Sequence, residues 1–249
     1  MKKLVLQICI LTFFSVQYSG MFTVIAQGMD PLQLVENHLE SIGNNAVLEG
    51  VSVCKQQGRI EFTRLGKTRE YLFTRIVTRD GKYFYAQSNL LGGVIYKEAY
   101  NGEKGWWYDR GKVHDLAGKK LAVVKSYPFI SPFLNPDYYR GQLIGIKERK
   151  SGYTLSVKDP NEELHTYTFG KKDFLLQGEV YRDELGVLNM IKYEDHRYFE
   201  GLLMPARVEW TRYTDTEGIP LKEVRIYALE KVNLNPEEVL IDHHFQRPD

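Results

Sequence analysis

Apolar and polar residues alternate along most of the chain after Val51, a pattern that predicts β-strands. Tyr71, Phe73 and Val77 fall on one face of such a run, and Asp80-Gly81 follows it as a hairpin turn. Similar runs are predicted at 143–147, 164–169, 174–182 and 188–193. Short strands roughly 8–12 residues apart predict an antiparallel barrel, half-barrel or sandwich.

One helix is predicted before these strands. Asp30 is a suitable N-cap, Pro31 suits the first helical position, and Gly43 is a natural stop. His38 falls among polar residues and is expected to be exposed. The apolar positions of the helix share one face because they recur at spacings of three and four. They are Leu32, Val35, Leu39 and Ile42.

Residues 118–140 break the alternating pattern. A short helix is predicted at 119–126, after which Pro128, Pro132 and Pro136 exclude a long helix or a central strand. The same stretch is strongly apolar at Tyr127, Phe129, Ile130, Phe133 and Leu134. Such a segment is expected to pack on the domain, either to complete the core or as a lid over a ligand site.

The N-terminus has the pattern of a secretory signal peptide. Lys2 and Lys3 precede the mostly apolar stretch 4–16, and cleavage is expected after Ala26. An uncleaved membrane anchor is the alternative, although polar residues interrupt the apolar run. We therefore expect a signal peptide at 1–26, a single domain at 27–249 and a periplasmic protein.

Charge and cysteine content limit the possible functions and exclude an internal disulfide after residue 26. Of 33 basic and 32 acidic residues, the leader removes Lys2 and Lys3, which leaves a formal net charge of −1. This balance excludes the basic footprint of a nucleic-acid binder. Cys54 is the single cysteine after residue 26, so no internal disulfide is expected and a buried apolar role is favoured over a reactive one.

No pattern of catalytic or metal-binding residues is evident. The chain lacks the nucleophile elbow, the phosphate loop, the dinucleotide fingerprint and paired zinc cysteines. His243-His244 are neighbours that would point to opposite faces of a strand, and His114 and His165 have no recognisable partner. The segment 194–196, Glu-Asp-His, could serve acid–base chemistry, but a solvated loop beside a strand end is favoured. We expect no enzyme, no cofactor and no metal site.

Aromatic residues make up 13% of the chain and open two interpretations. Aromatics favour strands, so most of them fit an ordinary β core. They also fit a concave sheet with an incompletely filled apolar inner face, closed by the helix and the segment 127–134. Apolar ligand sites take that form.

Several segments carry a resemblance to a known family. These are the helix ending in Ile42-Gly43, residues 100–108 (Tyr-Asn-Gly-Glu-Lys-Gly-Trp-Trp-Tyr), residues 193–197 (Tyr-Glu-Asp-His-Arg), residues 201–205 (Gly-Leu-Leu-Met-Pro) and the stretch from Asn233 to Pro248. Together they resemble the LolA/LolB-like superfamily of periplasmic outer-membrane lipoprotein-sorting and carrier proteins, in the form common among Bacteroidetes. The resemblance covers nearly the whole chain after residue 26.

The resemblance implies a mainly β fold with few helices. Such a fold is an unclosed, strongly curved antiparallel β-barrel, or half-barrel, lidded by helices and loops on its concave side. In the carriers an arginine of an early strand latches the lid. This chain offers Arg59, Arg64, Arg69 and Arg75, and no motif selects one of them.

We therefore expect a periplasmic binder or carrier of an apolar ligand, in particular the acyl chains of lipoproteins. The expected partner is a lipoprotein acyl chain or another lipid, or a membrane-associated envelope protein, and the expected state is a monomer. The alternatives are an envelope interaction or stress-sensing module without lipid transport, and an enzyme on the same scaffold. The candidate hollow residues are Phe62, Phe73, Trp107 and Trp210, and the candidate lid residues are Phe129, Ile130 and Phe133.

Overall fold

The computed structural model describes residues 29–109, 111–125, 129–134, 142–159, 162–183, 186–216, 219–236 and 244–248. The chain divides into Met1–Asp30 and Pro31–Asp249, and the helices and strands named below belong to the second unit. The signal peptide expected at 1–26 and the cleavage site before Gln27 lie outside the described residues. No helix within the described ranges has the length and apolar character that a membrane crossing requires.

The described residues form three α-helices, a short 3₁₀ helix and thirteen strands. The helices are α1 (Pro31–Ile42), α2 (Asn45–Gly50), α3 (Gly118–Lys125) and the 3₁₀ turn Pro132–Leu134. The strands of the first half are β1 (Val53–Arg64), β2 (Lys67–Thr78), β3 (Tyr83–Ser88), β4 (Val94–Tyr100), β5 (Gly105–Asp109) and β6 (Lys112–Leu116). Those of the second half are β7 (Leu143–Glu148), β8 (Gly152–Lys158), β9 (Leu164–Gly170), β10 (Leu176–Arg182), β11 (Leu188–Phe199), β12 (Leu202–Thr216) and β13 (Ile219–Leu234).

All these strands belong to one antiparallel sheet in the order β6-β5-β4-β3-β2-β1-β13-β12-β11-β10-β9-β8-β7. Each half is a meander of sequence neighbours, and the pairing of β1 with β13 joins the two halves. The sheet is not closed, since β6 and β7 stand at its two edges. The half-barrel class expected from the sequence is thereby confirmed.

One connection therefore links the two edges of the sheet. β6 ends at Leu116 and β7 begins at Leu143, so the chain between them passes from one edge to the other. It carries α3 and the 3₁₀ turn Pro132–Leu134. The helix predicted at 119–126 is confirmed as α3.

The predicted first helix is confirmed as α1, but its buried stripe differs from the expected one. Leu32 is 45% exposed, while the buried residues are Leu34, Val35, His38 and Ile42. His38, which was expected to be exposed, is only 2% exposed. That expectation was wrong because the polar ring finds hydrogen-bond partners outside the helix.

Helix packing marks one face of the sheet as the inner face. Cys54 of β1 pairs with Val77 of β2, and Val77 with Tyr83 of β3, so the three side chains share this face. Val77 and Tyr83 pack with Val124 of α3. Cys54 packs with residues of α1 and α2 and is buried, as its predicted apolar role requires.

The opposite, outer face is covered near β5 by the C-terminal residues. Phe245 is buried against Ile76, Phe84 and Trp106. The Trp106 indole donates a hydrogen bond to the Phe245 carbonyl oxygen at 3.1 Å. The two faces of this part of the sheet are therefore both apolar, and Trp106 and Trp107 point to opposite sides.

A bulge bends the central pair of strands. The register of β1 against β13 shifts between Gln57 and Gly58. A Cβ on Gly58 would stand 2.0 Å from the carbonyl oxygen of Ala228 and 3.0 Å from the Phe73 ring. Only glycine lets the two backbones approach this closely, so a larger residue at position 58 would disturb the pairing where the halves meet.

Candidate functional site

The strand register places Phe62 and Trp210 on the inner face, on either side of Arg225. Phe62 of β1 is paired with Arg225 of β13, and Arg225 with Trp210 of β12. The guanidinium carbon of Arg225 lies 5.4 Å from the centre of the Phe62 ring and 5.0 Å from that of Trp210. A cation therefore separates two of the candidate hollow residues, which makes this part of the surface amphipathic.

The same register places Phe73 and Trp107 on this face. Phe73 is paired with Gly58. Gly58 and Phe62 are an even number of residues apart on β1, so both positions are on the inner face. Successive pairs lead from Arg75 through Tyr85 and Glu98 to Trp107. All four candidate hollow residues thus share the inner face; Phe73 is 6% exposed and the other three are half-buried.

Trp107 belongs to a polar and aromatic group under α3. The ammonium nitrogen of Lys120 lies 3.5 Å from the centre of the Trp107 ring and 5.4 Å from that of Tyr96. The Tyr96 hydroxyl donates a 2.6 Å hydrogen bond to Glu98. Burial raises the pKa of Glu98, opposed by that hydrogen bond and by the charge of Lys120. Partial burial lowers the pKa of Lys120, opposed by Glu98 and Asp109.

The candidate lid residues differ strongly in burial. Phe133 is 1% exposed and its ring lies 5.8 Å from His38, 5.0 Å from Tyr167 and 5.5 Å from Phe169. Phe129 and Ile130 are half-buried beside the apolar cluster that contains Ile42 and Cys54. The segment is therefore anchored at Phe133 and more loosely packed at Phe129 and Ile130.

His38 connects α1 to this segment. Its Nδ1–H donates to the Phe174 carbonyl oxygen at 3.0 Å, because a carbonyl can only accept. Nε2 of the neutral ring then accepts from the Ser131 hydroxyl at 3.2 Å. Burial lowers the pKa of His38 to about 4, so the ring is neutral at pH 7. The contact joins the first helix to the connection between the sheet edges.

The arginine that touches the candidate lid is one that the sequence did not select. The guanidinium carbon of Arg79 lies 5.5 Å from the centre of the Phe129 ring. Arg79 also donates to the carbonyl oxygens of Leu48 and Val51, the latter at 2.9 Å. It stands in the turn after β2, outside the strand positions from which a latch was expected. The sequence carried no signal for it.

The arginines considered from the sequence have other contacts. Arg59 forms an exposed ion pair with Glu230, and Arg64 forms one with Glu223 at 3.1 Å. Arg75 faces inwards and donates to Gln56 at 3.4 Å. Arg69 lies opposite Phe62 and is exposed.

His165 has close acidic neighbours, although the sequence indicated none. Its Nδ1 lies 2.6 Å from the Glu179 carboxylate, and Tyr193 donates to the other oxygen of Glu179 at 2.9 Å. Nε2 faces Asp159 at 3.8 Å and Glu163 at 4.0 Å. These groups come from the β8–β9 hairpin and from β10 and β11, so only the folded sheet brings them together.

The segment 194–196 lies within β11, and not in the loop beside a strand end that the sequence suggested. It lines a cleft of about 340 Å³ with Asp173, Leu175, Gln177, Lys192 and Tyr193. Glu194 and Asp195 pair with Arg207 and Arg197. Burial lowers the pKa of His196. The lining is mainly polar, unlike an acyl-chain site.

Comparison with known proteins reveals a shared fold. No protein-family model matches the sequence, and no curated protein sequence matches it. A LolA superfamily protein from Nitrosomonas europaea superposes with a TM-score of 0.58 at 12% identity, covering 88% of this chain and 99% of that one. A DUF1329 family protein from Desulfovibrio piger gives 0.56 at 12% identity, covering 87% and 98%.

A domain assigned to outer membrane lipoprotein sorting, from Vibrio parahaemolyticus, gives a TM-score of 0.57 at 11% identity and covers 86% of this chain and 97% of its own. At these identities the likeness concerns the fold. The chain has the LolA-like fold that the sequence motifs suggested.

Proposed function

We propose that this protein is a periplasmic binder or carrier of an apolar ligand, most specifically the acyl chains of lipoproteins. One observation carries the proposal. A single connection, which begins and ends at the two edge strands, packs α3 and Phe129 against an inner face that carries Phe62, Phe73, Trp107 and Trp210. This connection, between Leu116 and Leu143, is called the cover below. Because it is attached only at the two edge strands, the cover can separate from the sheet without breaking strand pairs.

Two further observations support the proposal. The fold is shared with a LolA superfamily protein and with a lipoprotein-sorting domain. Within the cover, Phe129 and Ile130 are half-buried, whereas Phe133 is fully buried. A lid needs a weakly held part that moves and a strongly held part that keeps it attached.

The ligand would meet an amphipathic surface. Aromatic rings alternate with Arg225 and with the Glu98–Lys120 group along the inner face. Apolar contacts of the aromatic rings with an acyl chain supply binding energy of about 0.8 kcal/mol per buried methylene. The charged groups would lie near the polar end of the lipid.

Binding of a fluorescent acyl probe by the full chain tests the proposal. Phe62→Ala and Trp210→Ala should each weaken probe binding about tenfold, which corresponds to about 1.4 kcal/mol. Tyr198→Ala is the matched control, because Tyr198 is 73% exposed and alternates away from the inner face. Equal affinity in all three variants, or no binding by the wild type, would contradict the proposal.

An envelope interaction module without a lipid ligand is the second candidate. It is favoured by the buried charge of the inner face, since Glu98 is only 7% exposed and acyl chains do not solvate carboxylates. Native mass spectrometry after gentle purification separates the two. Co-purified lipid supports the carrier function. A lipid-free protein that also fails to bind the acyl probe supports the interaction module.

A further inference from the structure

We infer that His165, Asp159 and Glu163 form a binding site for a divalent transition-metal ion such as zinc. This inference goes beyond the proposed function and differs from the sequence-based expectation of no metal site. One ligand atom from each residue lies within 4.8 Å of the others. Asp159 and His165 are buried and Glu163 is half-buried, which leaves an approach from solvent on the Glu163 side.

The Nε2 atom of His165 is the central observation. It is fully buried and has no hydrogen-bond partner among the described residues, a rare state for a ring nitrogen. His165 itself is 7% exposed. The atom faces carboxylate oxygens of Asp159 and Glu163 at 3.8 and 4.0 Å. These distances are too long for hydrogen bonds.

The same distances suit two ligands of one ion. Zinc binds imidazole nitrogen and carboxylate oxygen at about 2.0–2.2 Å, which separates tetrahedral ligand atoms by about 3.4 Å. The two gaps at Nε2 close to that value with shifts of a few tenths of an ångström, and the Asp159 and Glu163 oxygens, which lie within 4.8 Å of each other, need up to about 0.7 Å each. Three protein ligands would leave a position for water.

Nδ1, the second ring nitrogen of His165, has a carboxylate partner, as is usual for metal-binding histidines. Nδ1 lies 2.6 Å from the Glu179 carboxylate, and the tautomer that donates Nδ1–H there presents the Nε2 lone pair to an ion. The Tyr193 hydroxyl orients Glu179 from its other oxygen. The Tyr181 ring stacks on the imidazole at 4.4 Å and 17° and fixes its plane.

The carboxylate ligands are positioned by the turn between β8 and β9. The Asp159 N–H donates to the Glu163 carbonyl oxygen at 2.9 Å. The Glu163 N–H donates to Asp159 Oδ1 at 2.8 Å, which leaves Oδ2 towards His165. The ligand set is therefore built before an ion arrives, and imidazole selects zinc-like ions over calcium and magnesium.

Zinc titration of the full chain, after EDTA treatment and desalting, tests the inference by calorimetry. We expect one site, and we expect Glu163→Gln to weaken zinc binding at least about tenfold. Glu162→Gln is the matched control: it removes the same charge from the next residue, whose side chain is 79% exposed and pairs with Lys158. Its affinity should equal that of the wild type.

Further variants keep the test valid if one variant does not fold, and they distinguish this site from adventitious zinc binding. Glu179→Gln should weaken zinc binding about 10–100-fold, because Glu179 orients the ligand without touching the ion. Cobalt binding should give visible d–d bands in the wild type that His165→Gln removes. Zinc affinity unchanged in Glu163→Gln and Glu179→Gln, loss of the site in His244→Gln, or equal binding of calcium would each overturn the inference.

Discussion

The ammonium group of Lys120 on α3 lies over the indole of Trp107 on β5, 3.5 Å from the ring centre. This contact joins the connection between the sheet edges to a candidate hollow residue of the inner face. Trp107 is covered on this side by a charged group of the same chain. A ligand that reaches Trp107 must displace Lys120.

The Lys120 contact predicts the local stability of α3. Lys120→Gln should remove an attraction of about 0.5–1 kcal/mol and speed amide hydrogen exchange in Gly118–Lys125 several-fold. Exchange in β11 and β12 should stay unchanged. Lys119→Gln removes the same charge from the neighbouring position. A similar increase in that control would show that the effect is not specific to the Trp107 contact.

Phe133 and Phe129 should respond differently to truncation. Phe133→Ala leaves a cavity beside His38, Tyr167 and Phe169, so we expect about 3–5 kcal/mol less unfolding free energy. Phe129→Ala, at a half-buried position, should cost less and weaken binding of the acyl probe. Urea unfolding and probe titration of both variants measure this. Equal stability losses would contradict the division into an anchor and a mobile part.

His38 predicts a stability loss in mild acid. Because its pKa is about 4 in the fold and 6.5 in the unfolded chain, the unfolded chain binds more protons between these values. Its contribution is therefore complete above pH 6.5 and is lost as the pH falls towards 4. The full loss is on the order of 3 kcal/mol, since one pKa unit corresponds to 1.36 kcal/mol.

Urea unfolding of the wild type and of His38→Gln at pH 7 and pH 4.5 measures this term. Glutamine keeps a donor and an acceptor but does not titrate. The pH dependence of the variant should be shallower, and burial of His196, which lowers its pKa, contributes to the remaining slope. An identical slope in both proteins would refute the assignment to His38. His114→Gln, at an exposed site, should behave as the wild type.

Cys54 should be unreactive in the folded protein. It is fully buried, and burial raises the pKa of its thiol to about 11. The thiolate is the reactive form, so labelling at pH 8 should be negligible in buffer and complete in urea. A Cys9→Ser background ensures that Cys54 alone is counted. Fast labelling without denaturant would show that the cluster around Cys54 opens readily.

The faces of the strands could be predicted from the sequence because alternation is a local property. Phe62, Phe73, Trp107 and Trp210 were chosen from their runs alone, and the register puts all four on one face. The bounds of α1 followed from Pro31 and Gly43 in the same way. Local signals therefore define the elements and the strand faces, whereas the buried stripe of α1 differs from the one that its spacing predicted.

The polar contacts could not be predicted because their partners are distant in the sequence. His38 meets Ser131 and Phe174, which lie 93 and 136 positions away. Arg79 reaches Phe129 from a turn whose residues gave no sign of an inward contact. His165 and Glu179 are only 14 positions apart, but their meeting depends on the pairing of β9 with β10.

The pairing of β1 with β13 has a consequence for the order of folding. Every other strand pair of the described sheet joins neighbours in the chain, whereas Cys54 must find Leu234 at the far end. Closing so long a loop is entropically unfavourable and slows folding, so the two meanders can form before they join. We therefore expect the middle of the sheet to form last, when β1 and β13 meet. In a circular permutant with joined ends, opened between β6 and β7, this pairing would become local in the sequence, across a connection that carries α1, α2 and the C-terminal residues.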